Sequence, residues 1–136
     1  MGYDEIGIGS KIPILEVEIS SVQMVMYCAI TWDFARLHYD PQFVQKFGFT
    51  RPVVDPQMHG AFVARMLSDW ISDSGRIRRL SLKYKVPCYL GDKITYGGEV
   101  ANKYTEGDAK YIDCGLTATN EKGEQPMVGI ARLLFY

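Results

Sequence analysis

The sequence predicts an α+β fold in which an antiparallel sheet wraps around one long, buried helix. The 136 residues are 47% hydrophobic, which is enough to bury the core of one domain spanning residues 1–136. A helical segment in the middle of the chain is apolar around most of its circumference. From Leu80 onward, apolar and polar side chains alternate, as they do in half-buried strands. A sheet curled around the helix is the simplest way to bury so wide an apolar surface.

The N-terminal part predicts one strand followed by helices. Residues 11–19 form the expected first strand, which we place at a sheet edge because Pro13 has no N–H to donate to a ladder. Ser20 is a good N-cap for a following helix of about three turns. A short helix is expected from residue 41 to residue 47, with Asp40 as its cap.

The dipeptide Asp55-Pro56 is a strong helix start, because it places an N-cap aspartate before a proline at the first helical position. The helix is expected to end near Ser74-Gly75. Its apolar residues are Met58, Phe62, Val63, Leu67, Trp70 and Ile71.

Four strands complete the prediction, at residues 80–86, 93–100, 112–118 and 128–135. A hairpin turn is expected at residues 120–123, where the sequence reads Asn-Glu-Lys-Gly.

Composition and charge argue against several classes of partner. A net charge of −1 gives no field that would recruit nucleic acid or an anionic membrane. No apolar run approaches the roughly 18 residues that a membrane helix needs, and the N-terminus has no signal-peptide pattern. The three cysteines, Cys28, Cys88 and Cys114, are odd in number and lack C-x-x-C spacing. We therefore expect buried, reduced thiols in a cytoplasmic protein.

The residues that indicate chemistry are Asp33 and His38, five positions apart just after a predicted helix. An Asp and a His that converge on one water can add that water to an activated double bond, or remove it. The alternative is structural: Asp33 caps the following turn and His38 is a hydrogen-bonded loop histidine. We find no metal-ligand spacing, no phosphate-binding glycine loop and no Ser or Cys nucleophile arrangement, so we expect no metal and no cofactor.

The chain resembles the MaoC-like hotdog hydratases and dehydratases, the group of the (R)-specific enoyl-CoA hydratases. Asp33, His38 and Gly48-Phe49 match the family signature in type and spacing. The resemblance extends from Gly9 to the last strand, and it is closest to the short single-hotdog subunits of steroid side-chain acyl-CoA dehydratases. The segments that carry this closer match are Trp32-Asp33-Phe34, His38-Tyr39-Asp40, Ser68-Asp69-Trp70 and Val86-Pro87-Cys88-Tyr89.

The resemblance implies an enzyme that hydrates a 2-enoyl thioester, or dehydrates a 3-hydroxyacyl thioester, with a CoA ester as the expected substrate. It assigns His38 as the general base toward water, with Asp33 positioning the water and sharing its proton. It also implies a dimer, either of identical chains or with a second MaoC-like chain.

Two positions depart from the family pattern. Ala35 stands where the family has Asn, and Asp55-Pro56 stands where it has His-Gly. That glycine's N–H points at the thioester oxygen in the family, whereas Pro56 has no N–H. The next amides, those of Gln57 and Met58, lie in the first helical turn and are the expected replacement donors.

Four further residues have two interpretations each. His59 is either a core histidine or a substrate-pocket residue that compensates for the missing glycine. Arg78, Lys83 and Lys85 belong to the most basic stretch, which is either a solvated strand face or a binding surface for the phosphates of CoA.

Two other functions compete with the hydratase. Ala35 and Pro56 leave open a non-catalytic, acyl-CoA-binding partner subunit of a heteromeric dehydratase. A hotdog thioesterase is less expected, because those enzymes often carry a carboxylate on the long helix. Here the only acid well inside that helix is Asp69, near its far end.

Overall fold

The structure is a computed structural model that describes all residues from Met1 to Tyr136. In chain order its strands and α-helices are β1 (Lys11–Glu18), α1 (Ser21–Thr31), α2 (Pro41–Gln45), α3 (Pro56–Ile71), β2 (Gly75–Tyr84), β3 (Lys93–Glu106), β4 (Ala109–Asn120) and β5 (Met127–Phe135). Single turns of 3₁₀-helix lie at Tyr3–Glu5, Arg36–His38 and Ser72–Ser74.

The five strands form one antiparallel sheet in the order β1-β3-β4-β5-β2, so that β1 and β2 are its edges. The edge position predicted from Pro13 is therefore confirmed. The pairing of β1 with β3 shifts register between Ile12 and Leu15, on either side of that proline. A residue without an N–H is tolerated there because it leaves no ladder bond unmade in the sheet interior.

Helix α3 packs against β1, β2 and β3 and supplies the centre of the core. Its buried residues are Met58, His59, Val63, Met66, Leu67, Trp70 and Ile71. They face inward-pointing strand residues such as Ile94, Tyr96 and Leu116, which are also fully buried. Each such apolar side chain contributes roughly 1.5–3 kcal/mol relative to an exposed one. The predicted α+β hotdog arrangement, a sheet around one long helix, is confirmed.

Helix α3 ends at Ile71, before the predicted end at Ser74-Gly75. Ser72 has a φ of 47°, a left-handed value that interrupts the helix, and one 3₁₀ turn follows. Strand β2 consequently begins at Gly75, earlier than the expected residue 80.

Strands β3 and β4 are also longer than predicted, because they form a hairpin that continues to a two-residue turn at Gly107-Asp108. Gly107 has a φ of 59°, the conformation that such a turn requires and that glycine adopts without strain. The Gly-Asp pair was a usable turn signal that the sequence analysis missed. The turn predicted at residues 120–123 is present, with the Asn120 side chain accepting from two later amides.

The three cysteines are buried and unpaired, as expected. Burial raises the pKa of Cys88 and of Cys114 to about 12, so neither is a thiolate nucleophile at neutral pH. None of the helices combines the length and the apolar character needed to cross a bilayer.

Candidate active site

Helix α1 delivers Asp33 to the surface at its C-terminal end. The capping residue Trp32 is left-handed, with φ 59°, and the Asp33 amide closes the helix by donating to the Cys28 carbonyl at 3.0 Å. One carboxylate oxygen of Asp33 then accepts from the Ala35 amide at 3.1 Å. A backbone N–H therefore holds the Asp33 carboxylate in this loop, where Ala35 has no side-chain donor.

His38 ends the 3₁₀ turn that follows, and the residue is only 7% exposed. Its Nδ1 lies 2.8 Å from the Val53 carbonyl oxygen. A carbonyl can only accept, so Nδ1 carries the proton of this hydrogen bond. In the neutral ring Nε2 is then the atom with a free lone pair, which is the form needed by a general base or by a metal ligand.

The structure brings Asp33 and His38 together and adds a third residue, Asp55. One side-chain ligand atom of each lies within 4.8 Å of the other two. Asp33 is exposed, whereas His38 and Asp55 are buried. We call these three residues the acid–base cluster. Such a set of donors could also hold a divalent cation.

Sequence analysis assigned Asp55 only as the cap of α3, and that cap is present. Its Oδ1 accepts from the Gln57 amide at 2.9 Å, and its backbone carbonyl accepts from the Met58 amide at 3.0 Å. The one signal that could have identified Asp55 as a functional residue was its position, where the family has the His of its His-Gly pair.

The same two hydrogen bonds correct the prediction for the oxyanion donors. Gln57 and Met58 were expected to present free amides to the thioester oxygen, but Asp55 engages both. The physical reason is local, since a capping aspartate satisfies the very N–H groups that an anion would otherwise bind. Pro56, the first residue of the helix, has no N–H to offer.

His59 lies outside the acid–base cluster and is 3% exposed. Its Nδ1 is 2.7 Å from the Tyr96 hydroxyl, and burial lowers the pKa of its imidazole to about 4. It also borders a cavity of about 220 Å³, together with Pro56, Tyr84 and Cys88. His59 is thus a neutral, hydrogen-bonded core residue whose ring reaches a small cavity beside the start of α3.

The basic residues Arg78, Lys83 and Lys85 are exposed on or just after the edge strand β2. None of them takes part in an ion pair, although the chain contains five pairs elsewhere. Their positive charge is therefore available to a ligand.

Asp69 is exposed and lies 3.6 Å from Arg65 on the outside of α3. The carboxylate that a hotdog thioesterase would need on the long helix therefore points away from the core.

Two further surface features lie outside the acid–base cluster. Helix α1 exposes a row of apolar side chains next to Asp33, consisting of Val22, Val25, Met26 and Ile30 and continued by Trp32 and Phe34. A groove of about 580 Å³ lies on the outer face of the sheet, bordered by Thr95, Gly97, Gly115 and Gly129. None of the candidate site residues borders that groove.

Comparison with known proteins identifies the family of this chain. The family model described as "MaoC like domain" matches residues 7–122. An (R)-specific enoyl-CoA hydratase of Aeromonas caviae is 28% identical over 101 residues, covering 74% of this chain and 75% of that protein. The 3-oxo-4,17-pregnadiene-20-carboxyl-CoA hydratase beta subunit of Mycobacterium tuberculosis is 28% identical over 93 residues, covering 68% of this chain and 72% of that protein.

Solved structures agree on the fold. The ChsH1-ChsH2 complex of Mycobacterium tuberculosis contains a chain with a TM-score of 0.84 and 24% identity, covering 96% of this chain and 98% of that one. An R-hydratase of Pseudomonas aeruginosa reaches a TM-score of 0.90 at 18% identity, covering 98% and 84%. With a family model that matches most of its length, this chain belongs to the MaoC-like domain family.

Proposed function

We propose that this protein hydrates a 2-enoyl thioester, and dehydrates the corresponding 3-hydroxyacyl thioester, with Asp33 and His38 as its acid–base pair. The observation that carries the proposal is the hydrogen bond from His38 Nδ1 to the Val53 carbonyl, which leaves Nε2 as the basic nitrogen of a ring that lies near the Asp33 carboxylate. Family membership and the hydratase relatives support the reaction type.

In hydration, Asp33 and His38 hold one water. His38 takes a proton from that water as its oxygen bonds to C3, and the electrons of the double bond move toward the thioester carbonyl. C2 then gains a proton, so the water ends as a hydroxyl on C3 and a hydrogen on C2. The pair returns to its starting protonation state.

Removing either member tests this assignment. We expect Asp33→Asn and His38→Ala each to lower turnover of crotonyl-CoA, or of a bulky enoyl-CoA, by about 10²–10⁴-fold. Circular dichroism of both variants should match the wild type, since neither residue belongs to an α-helix or a strand. Near-full turnover in either variant would refute the acid–base assignment.

The substrate is proposed to be a CoA ester, with Arg78, Lys83 and Lys85 near its phosphates. These side chains are exposed and free of acidic partners. Alanine substitutions should raise the KM for crotonyl-CoA but leave the KM for crotonyl-pantetheine unchanged, because pantetheine lacks those phosphates. An equal change for both esters would contradict phosphate binding.

A second candidate function is favoured by one observation, the engagement of the Gln57 and Met58 amides by Asp55. Without a free donor there, the chain is instead an acyl-CoA-binding subunit that completes the site of a second MaoC-like chain. Assays of the chain alone and mixed with such a partner separate the two. This candidate requires an inactive chain that activates its partner equally well with and without Asp33→Asn.

We also propose that the protein is at least a dimer, of identical chains or with a second MaoC-like chain. The edge strands β1 and β2 have unpaired backbone groups, and the apolar face of α1 is exposed. In the similar M. tuberculosis structure, ChsH1 and ChsH2 form a complex. Light scattering at micromolar concentration should give at least twice the chain mass, and a monomer would contradict the proposal.

A further inference from the structure

Asp55 is a buried carboxylate without a neighbouring cation. The residue is 4% exposed, and none of the five ion pairs of the chain includes it. The hydrogen bond that its carboxylate accepts is the one from the Gln57 amide to Oδ1. Burial, and after it the charge of Asp55, raises the pKa of both Tyr27 and Tyr84. The charge of Asp55 therefore has no cation to balance it, and the Asp33 carboxylate lies in the same cluster.

Capping a helix does not require that charge. Asn and Ser cap helices about as well as Asp, because the cap needs only a side-chain oxygen that accepts from the first turn. A buried charge without a partner, by contrast, is unfavourable for folding. The cap accounts for one oxygen of Asp55, which leaves its charge and its second oxygen free for another role.

The spacing of the acid–base cluster suits a single oxygen atom at its centre. Two groups that each lie about 2.8 Å from one tetrahedral oxygen are about 4.6 Å apart. The ligand atoms of Asp33, His38 and Asp55 lie within 4.8 Å of one another. A water has two hydrogens, so at any moment it donates to two of the three groups.

We infer that Asp55 is a third catalytic residue, whose carboxylate binds the oxygen that is added to C3 in hydration and removed in dehydration. The inference rests on the proposed function. As the water oxygen bonds to C3 it gives one proton to an unprotonated member of the cluster. The cluster gives a proton back to C2, which receives the electron pair of the double bond. The cluster thus ends with as many protons as it began with.

The kinetic test uses Asp55→Asn and Asp55→Ser, which keep a capping oxygen and remove the carboxylate. We expect turnover of crotonyl-CoA by the assembled protein to fall at least about 100-fold in both, with KM within a few-fold and unchanged circular dichroism. Asp40→Asn is the matched control, since Asp40 caps α2 in another Asp-Pro pair. It should keep full turnover. Asp55 variants within threefold of the wild type would overturn the inference.

A binding measurement decides the inference separately from the proposed function. By isothermal titration, the wild type should bind (R)-3-hydroxybutyryl-CoA more tightly than butyryl-CoA, which lacks the hydroxyl. Asp55→Asn should reduce this preference roughly tenfold, because a hydrogen bond to a charged acceptor is lost.

The possible results distinguish a failure of the proposed function from a failure of the inference about Asp55. A wild type that turns over no enoyl ester, but whose preference for the hydroxy ester depends on Asp55, refutes the proposed function and keeps Asp55 as a binding residue. A preference that Asp55→Asn leaves unchanged, or no preference in the wild type, overturns the inference. Binding of neither ester overturns both.

Discussion

Helices α2 and α3 both begin with the dipeptide Asp-Pro, yet their two aspartates have opposite electrostatic surroundings. Asp40 accepts from the Gln42 and Phe43 amides through Oδ1 and from the Arg36 guanidinium through Oδ2, at 3.0 and 2.6 Å. The hydrogen bond from Arg36 holds the pKa of Asp40 below its usual value. Asp55 also caps its helix, but it is more deeply buried and has a second carboxylate nearby in place of a cation.

The comparison separates the role of a carboxylate as a cap from its role as a charge. At Asp40 the cap and the charge are both satisfied locally, because Arg36 lies only four residues earlier in the chain. At Asp55 only the cap is satisfied locally, and the remaining neighbours come from the loop that carries Asp33 and His38. A carboxylate left without a cation in a buried place is available to bind a substrate.

The largest expected effect comes from giving Asp55 the surroundings of Asp40. Asp33→Lys places an ammonium group at an exposed position near Asp55. We expect hydration to fall by at least about 10²-fold, equivalent to roughly 3 kcal/mol of barrier. The free energy of unfolding should rise by up to about 1 kcal/mol as the charges balance. Urea titration measures the change in stability against Asp33→Asn, which adds no cation, and crotonyl-CoA kinetics should show that both variants lose turnover. Retained turnover in Asp33→Lys, or a free energy of unfolding no higher than that of Asp33→Asn, would contradict the comparison.

The next effect is a dependence of stability on pH that arises near the start of α3. His59 follows Asp55 by one turn of α3, and burial lowers its pKa to about 4 from the ordinary 6.5. Because the unfolded chain binds this proton first, stability should fall as pH decreases from about 6.5 and level off below about 4. The total loss is about 3 kcal/mol at about 1.4 kcal/mol per pKa unit.

Urea titrations between pH 7 and pH 4 check this dependence. His59→Gln should lack most of the slope. If the variant and the wild type lose stability in parallel, the dependence belongs to other groups.

A smaller effect isolates the cap from the charge. Asp55→Ala should lower the free energy of unfolding by about 0.5–2 kcal/mol relative to Asp55→Asn, because only alanine removes the capping oxygen. Thermal and urea unfolding of the two variants give the difference directly. Equal stability of the two would show that the Gln57 hydrogen bond contributes little.

The smallest effect concerns the prolines. Pro56→Gly should lower the free energy of unfolding by about 0.4–1 kcal/mol through the entropy of the unfolded chain. It also restores an N–H at the first position of α3, so we expect turnover to rise. Pro41→Gly in α2 is the matched control, with a similar loss of stability and no change in turnover. A rise in both variants would exclude a local hydrogen bond as the cause.

Much of the fold could be predicted from local sequence. The edge strand followed from Pro13, the caps from Ser20 and the two Asp-Pro pairs, and the sheet from alternating side chains. Each of these signals acts over a few residues. The end of α3 was wrong by three residues, because Ser72 adopts a left-handed conformation that nothing in its neighbourhood of the sequence requires.

The candidate site could be predicted in part. Asp33 and His38 are separated by one loop, so their proximity was expected from the sequence. The free amides at Gln57 and Met58 were wrongly expected, although the same analysis predicted the Asp55 cap that engages them. The two expectations compete for the same N–H groups, and a hydrogen bond within three residues forms before any ligand is bound.

The sequence by itself thus determined the type and order of the elements, the family, and the pairing of Asp33 with His38. Only the tertiary structure decided that Asp55 joins them, that His59 is a neutral core residue, and that the basic side chains of β2 lack acidic partners. The physical reason is the distance along the chain over which each interaction acts. Capping and periodicity depend on neighbours along the chain, whereas burial and charge balance depend on segments that folding brings together.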